Sequence, residues 1–301
     1  MPTPRHDAAG TGPAILYHRL VAVSGLRTRV IVGGPEQHEE AVVFVHGNPG
    51  SAEDWTDLMQ RLAPTHRVLA MDMPGFGHAD KPADYPYSVE AGASFLGELL
   101  RQAGVSRAHL VLHDFGGPWG MLWAAQHGHA LGSLTLINTG VLKGYTWHYM
   151  ARIWRTPLLG ELQQLITNRV GFGWAIQIGC PRGLPAAFID RMYQDLDWGT
   201  RRAILKLYRA TSDLSGRSDT LGRMLTPLHQ PTLVVWGEAD PYLPVRYAHA
   251  QREVFAQAEV VTLPDSGHFP FADDPEGVAQ AVLPFLSRQL APAEAAQHVS
   301  R

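Results

Sequence analysis

The most constraining stretch of this chain is Arg107-Ala108-His109-Leu110-Val111-Leu112-His113-Asp114-Phe115-Gly116-Gly117-Pro118-Trp119-Gly120. Its apolar run from His109 to Leu112 is too short for an ordinary helix and ends at a carboxylate. Two glycines follow, and Pro118 opens the pattern Met121-Leu122-Trp123-Ala124-Ala125, which reads as helix. Strand, sharp turn and helix in so few residues hold the residue at the tip on a strained turn at the carboxyl edge of a sheet, where a side chain can attack a substrate. The small residues after the tip let the helix pack close. Here the tip is Asp114 rather than Ser or Cys.

The rest of the chain supplies the sheet around that stretch. Ala14 to Val23 and Leu26 to Val32, joined by Ser24-Gly25, predict an antiparallel hairpin. Ala41 to Val45 is fully apolar, as expected of a strand covered on both faces, and runs into His46-Gly47-Asn48-Pro49-Gly50-Ser51. A helix from about Glu53 to Leu62, a strand from Arg67 to Met73 and a helix from Val89 to Ala103 precede the central stretch, and Leu134 to Asn138 is the next short strand. This alternation predicts an α/β fold whose sheet is mostly parallel, with helices on both faces and right-handed crossovers. From about Gly140 to Thr226 no strand is evident, only helical stretches rich in aromatics and arginine, which read as a helical cap over the carboxyl edge. Strands resume at Pro231 to Trp236 and Ala258 to Leu263, and a closing helix has Asp274 as N-cap and Pro275 at its first position. The expected organisation is a core of 14–139 and 227–290, a cap of 140–226, and flexible termini at 1–13 and 291–301.

Bulk properties remove several classes of function. The 301 residues carry 25 Lys+Arg against 28 Asp+Glu, a net charge of -3 with no run of like charge, which argues against nucleic acid as a partner. The single cysteine, Cys180, cannot form an internal disulfide. The N-terminus lacks the apolar segment of a secretion signal, and no stretch approaches the ~18 apolar residues of a membrane span. The expectation is a soluble cytoplasmic protein acting on a small molecule, with no membrane partner and with its oligomeric state open.

Three candidate side chains stand at strand ends in the order Asp114, Asp240, His268. A serine at the tip would need a histidine to remove its proton, whereas an aspartate, with a reference pKa near ~3.9, is already an anion at neutral pH. His268 is then free for a later step. Asp114 would attack an electrophilic carbon to form an ester, and His268, oriented by Asp240, would deprotonate a water that hydrolyses it. The oxyanion of that second step needs donors. The backbone N–H groups of Asn48 and Phe115 are the candidates, because Pro49 has none to offer.

With these residues in place, the chain from about Ala14 to Leu290 resembles the α/β-hydrolases with an aspartate nucleophile, the epoxide hydrolases and haloalkane dehalogenases. The resemblance is carried by His46-Gly47-Asn48-Pro49, Asp72-Met73-Pro74-Gly75-Phe76-Gly77, His113-Asp114-Phe115-Gly116-Gly117, Gly237-Glu238-Ala239-Asp240 and Gly267-His268, and by the order nucleophile, acid, histidine. It implies the α/β-hydrolase fold with a helical cap. Asn48 and Leu112 are similar to the dehalogenase branch, whose Asn helps hold halide. Phe115 stands where that branch places a halide-binding Trp, leaving Trp147 or Trp154 to substitute. Epoxide opening needs a proton donor for the alkoxide, and the resemblance implies cap tyrosines: Tyr208 first, Tyr149 second, with Tyr145 one turn before it as a substitute. The expectation is therefore an epoxide hydrolase, with haloalkane hydrolysis as the alternative and a non-hydrolytic binding or cyclase-like role as the rival from another class. None of these routes requires a metal or organic cofactor. His113, on the opposite side of its strand from the tip, reads as structural, and Cys180 as inert.

Overall fold

A computed structural model describes residues 14–290; the two termini expected to be flexible lie outside the described residues. The chain begins with the antiparallel hairpin of β1 (Tyr17–Val23) and β2 (Leu26–Gly33). Ser24 and Gly25 in its turn both take positive φ, 50° and 82°, which matches the right-handed twist of the strands they join. β3 (Glu40–Val45) leads through a 3-10 turn (Ala52–Trp55) into α1 (Thr56–Leu62). The helix expected to start near Glu53 is thus preceded by a tighter turn. The Ala52 N–H donates to the buried Asp72 carboxylate at 2.7 Å, and that bond draws the first turn toward the sheet.

β4 (Val68–Met71), α2 (Val89–Gln102), β5 (Arg107–His113), α3 (Gly116–Gln126) and β6 (Leu131–Ile137) follow. After a long insertion come β7 (Thr232–Gly237) and β8 (Glu259–Leu263). The sheet has eight strands in the order β1-β2-β4-β3-β5-β6-β7-β8, parallel from β4 to β8 and antiparallel where β2 meets β1 and β4. β4, β6 and β7 are buried along their whole length, β6 taking Ser133 and Thr135 and β7 taking Thr232 inside with their apolar neighbours. Right-handed crossovers put α2 and α3 on one face, where they pack on each other. They put α1 on the other face, where it meets α12 (Pro275–Gln289).

Six helices fill the insertion: α4 (Tyr149–Arg155), α5 (Leu159–Ile166), α6 (Arg169–Gln177), α7 (Ala186–Asp195), α8 (Trp198–Ala210) and α9 (Leu214–Leu225). The side chains of His148, Asn168, Asp197 and Asp213 each accept the N–H three residues on and so start four of them. The arginines that colour this stretch bind helix ends: Arg155 donates to the Tyr208 carbonyl at 2.6 Å and Arg201 to the Leu196 carbonyl at 3.0 Å. Two short helices, α10 (Arg246–Ala250) and α11 (Pro270–Asp273), flank β8.

The tip between β5 and α3 is built by close approach. Asp114 is left-handed, with φ of 46°, a region L-residues seldom occupy. A Cβ on Gly117 would stand 1.9 Å from the Thr139 hydroxyl, which itself donates to the Asp114 carbonyl at 2.7 Å. Gly117→Ala should therefore cost about 1–3 kcal/mol, seen as a fall of several degrees in the thermal midpoint. An unchanged midpoint would show that the turn has slack it does not display.

Candidate active site

The tip carries the Asp114 carboxylate to the carboxyl edge of the sheet, and the loop after β3 is folded against it. A Cβ on Gly47 would lie 2.4 Å from that of Asp114, so only glycine lets the loop come this near. The closeness brings the Asn48 N–H to 2.8 Å from Asp114 Oδ1. The Phe115 N–H, at the start of α3, also favours the charged form of the carboxylate. Of the two backbone groups expected from the sequence as donors, the Asn48 N–H bonds to Asp114 directly.

Asp240 and His268 come in from the loops after β7 and β8. His268 Nδ1 donates to Asp240 Oδ2 at 2.7 Å, and its Nε2 stands 3.7 Å from Asp114 Oδ2. Asp240 is fixed in turn: Oδ1 accepts the N–H groups of Tyr242 and Leu243 at 2.8 and 3.0 Å, and Oδ2 also accepts from the Asn138 amide at 2.7 Å. Asn138 itself accepts the Gly237 N–H at 2.9 Å, tying the ends of β6 and β7 together. Nothing in the sequence marks Asn138 or Thr139 beyond their place at a strand end.

Burial sets the electrostatics. It raises the Asp114 pKa against the opposing pull of His268 and the two N–H groups. Burial by itself would lower His268, but the carboxylates of Asp240 and Asp114 outweigh it and raise the imidazole above its ordinary value. His113 lies behind the site, donates from Nε2 to the His268 carbonyl at 2.8 Å, and is held well below the usual histidine range by burial and by His268. It is a structural histidine, as its side of the strand implies. His46 is occupied too, accepting the Met73 N–H at 2.9 Å. Burial pushes the Cys180 thiol up to about 12, which leaves it unreactive.

A cavity of ≈ 690 Å³ opens over Asp114 and His268, with Asp240 outside its lining, and that lining separates the cap candidates. Tyr208 on α8 lines it, 3 % exposed, with its ring 5.1 Å edge-on from that of Phe115. Burial, reinforced by the Asp114 charge, raises its pKa well above the phenol value, so it is a protonated donor. Tyr149 is a correction: it is 51 % exposed and outside the lining, because its place on α4 turns the side chain away from the cavity. Tyr145 lines the cavity but spends its hydroxyl on the Tyr242 carbonyl at 3.1 Å.

The residue that sequence reasoning missed is His148. It lines the cavity, and its ring lies 6.1 Å from that of Tyr208. Its Nδ1 accepts the Ala151 N–H at 3.2 Å as the cap of α4, and burial lowers its pKa to about 4. A neutral imidazole whose Nδ1 is an acceptor carries its proton on Nε2. His148 is therefore a second donor beside Tyr208. The available signal was its position just before a helix, where an acceptor side chain is favoured.

A mostly parallel sheet with a carboxylate, an acid and a histidine at its carboxyl edge defines a hydrolase of the α/β type. The chain belongs to the alpha/beta hydrolase fold family, whose profile matches residues 40–275. Among its relatives is the cis-3-alkyl-4-alkyloxetan-2-one decarboxylase of Xanthomonas campestris pv. campestris, 28 % identical over 291 residues that cover 90 % of this chain and 95 % of the relative. Solved structures of the same fold include the Cif epoxide hydrolase from Acinetobacter nosocomialis (TM-score 0.78, 19 % identity, 93 % of this chain and 90 % of that one). The haloalkane dehalogenase DbeA from Bradyrhizobium elkani is similar to the same degree (TM-score 0.77, 23 % identity, 91 % and 98 %). No helix among the described residues is long and apolar enough to cross a membrane.

The base expected from the sequence at His268 must be neutral to take a proton, so on that expectation turnover should fall as pH drops through its raised value. Asp240→Asn should slow turnover about ten-thousandfold and move that acid limb to lower pH, since the stronger of the two charges raising His268 is gone. A pH–rate profile of both proteins checks this, and an acid limb that stays in place would separate Asp240 from the titration.

Proposed function

We propose that this protein hydrolyses epoxides through a covalent ester on Asp114. Asp114 Oδ1 is already occupied by the Asn48 N–H, which leaves Oδ2 to attack a ring carbon. The C–O bond that breaks puts its electron pair on the ring oxygen, which takes a proton from Tyr208 or from His148 Nε2. A water then gives its proton to His268 and adds to the ester carbonyl carbon of Asp114. The charge that develops on the carbonyl oxygen falls between the Asn48 and Phe115 N–H groups. Collapse of that intermediate expels the second oxygen of the product, which takes the proton held by His268 and frees the diol, and the acid proton left on Asp114 passes back to the donor that opened the ring, restoring the carboxylate and the donor together.

The observation that carries this reading is the pair of proton donors, Tyr208 and His148, lining the cavity of a carboxylate nucleophile. An alkoxide is a poor leaving group without a proton, whereas a halide needs none. The alternative, haloalkane hydrolysis, is supported by two other features. The Asn48 side-chain amide and the Trp147 indole N–H are buried with no hydrogen-bond partner among the described residues, while the Trp154 indole N–H is taken by Gln163 at 2.7 Å. The decarboxylase of Xanthomonas, a relative, acts on another strained oxygen ring, an oxetan-2-one, open to the same attack by a carboxylate.

Diol formation from an epoxide panel, halide release from a haloalkane panel and gas evolution from an oxetan-2-one discriminate the three. Diol is the expected product, and activity confined to either of the other panels overturns the order. Tyr208→Phe should reduce the rate of ring opening by about a hundredfold, read as single-turnover kinetics. His268→Gln should accumulate the ester, giving intact protein heavier by the mass of one epoxide. Absence of that adduct on Asp114 would count against covalent catalysis.

A further inference from the structure

Helix α5 is inverted with respect to water. At about 3.6 residues per turn, Leu159, Leu162, Leu165 and Ile166 fall on one face together with the cap residue Leu158, and all five are between 46 and 83 % exposed. The opposite face, Gly160 and Gln164, is buried, and the Gln164 side-chain oxygen has no hydrogen-bond partner among the described residues. An ordinary surface helix turns its apolar stripe to the core and its polar residues outward. Here the packing does the reverse. The apolar surface continues past Thr167 and Asn168 into α6, where Val170 and Trp174, one turn apart, are 79 and 72 % exposed. Apolar side chains exposed singly need no partner, but a run of this density on two consecutive helices marks a surface that something covers.

The charges beside the run say what kind of surface fits. The whole chain carries a net charge of -3, yet α4 to α6 hold Arg152, Arg155 and Arg169 against Glu161 alone. Glu161 is paired with Arg209, and Arg169 with Asp190. Arg152 and Arg155 meet backbone carbonyls instead, those of Trp147 at 2.9 Å and Tyr208 at 2.6 Å, and neither has a carboxylate partner among the described residues. α4 packs against α5, so positive charge borders the apolar face. We infer that α5 and α6 seat this protein on an anionic lipid surface, with the leucines, Val170 and Trp174 at the boundary between headgroups and acyl chains. A second copy meeting this face by two-fold symmetry would instead bring like charges together. Resting on a bilayer differs from crossing one: the eight residues of α5 make about 12 Å of helix, too short to span, so the expectation of no membrane partner drawn from the lack of a span does not extend to this face. Ile166 and Gly171 also line the cavity over Asp114, so the cavity reaches the same face and an apolar molecule could enter it from lipid. The seating is independent of the chemistry assigned to Asp114.

Flotation of the full chain with phosphatidylcholine vesicles, with and without about one-third phosphatidylglycerol, tests this. The protein should float with the anionic vesicles at least about tenfold more than with the neutral ones, and rising salt should erode the difference. Leu162→Glu combined with Leu165→Glu, two positions outside the cavity lining, should lower partitioning by about tenfold or more while leaving the thermal midpoint in place. Trp174 emission should move to shorter wavelength on the anionic vesicles, a change missing from Trp174→Phe. Wild-type protein that stays in the buffer, equal flotation of wild type and the doubly charged variant, or an unmoved Trp174 signal would overturn the seating. A wild-type dimer that the charged variant dissolves, without flotation of either, would also overturn it and give the face to a second copy. Should the charged variant fail to fold, wild-type flotation and the Trp174 signal decide between them.

Discussion

The left-handed backbone of Asp114 is the constraint on which the site depends. A non-glycine residue held at φ of 46° is strained by about 1–3 kcal/mol and persists only where its surroundings leave no alternative. Those surroundings are Gly47 from one side, Gly117 and Thr139 from the other, and a strand buried within a parallel sheet below. The return for the strain is orientation. The bend turns the carboxylate out of the sheet while the Phe115 N–H, at the positive end of α3, still faces it.

The supporting structure keeps other polar groups committed so that the few facing the cavity are free. Asp72, fully buried, accepts from Ala52 at 2.7 Å, His78 at 2.8 Å and Arg29 Nε at 2.9 Å, and so ties the turn that follows the Asn48 loop to the loop that follows β4. Asn138 and the loop after β7 saturate Asp240. On the proposed route, esterification also changes the field. It removes the Asp114 charge, which stabilises protonated His268, and so eases the imidazole into its neutral, basic form when water must be activated.

The sheet and its catalytic edge were legible because their signals are local. Short apolar runs ending in Gly, Asp or His mark buried parallel strands and their tips, and Asp114, Asp240 and His268 all converge where that reading puts them. The insertion was legible as helical, but which side of each helix faces the cavity depends on tertiary packing that periodicity does not supply. Tyr149 and His148 show the limit. They are neighbours in sequence, yet one begins the helix on its solvent side while the other caps it from within the cavity. Asn138 and Thr139 were invisible for a related reason: their importance lies in atoms brought across from β7 and β5 by the order of the strands.

The double use of His148 links the chemistry of the cavity to the integrity of its roof. The ring that on the proposed route offers a proton through Nε2 also holds the first turn of α4 through the bare nitrogen Nδ1. A proton gained at Nδ1 would turn that acceptor into a donor and leave the Ala151 N–H without its partner. With burial lowering the ring to about 4, the helix stays fastened throughout the range in which, on the proposed route, His268 serves as base. Strong acid would therefore disarm the base first and unpin the roof only afterwards.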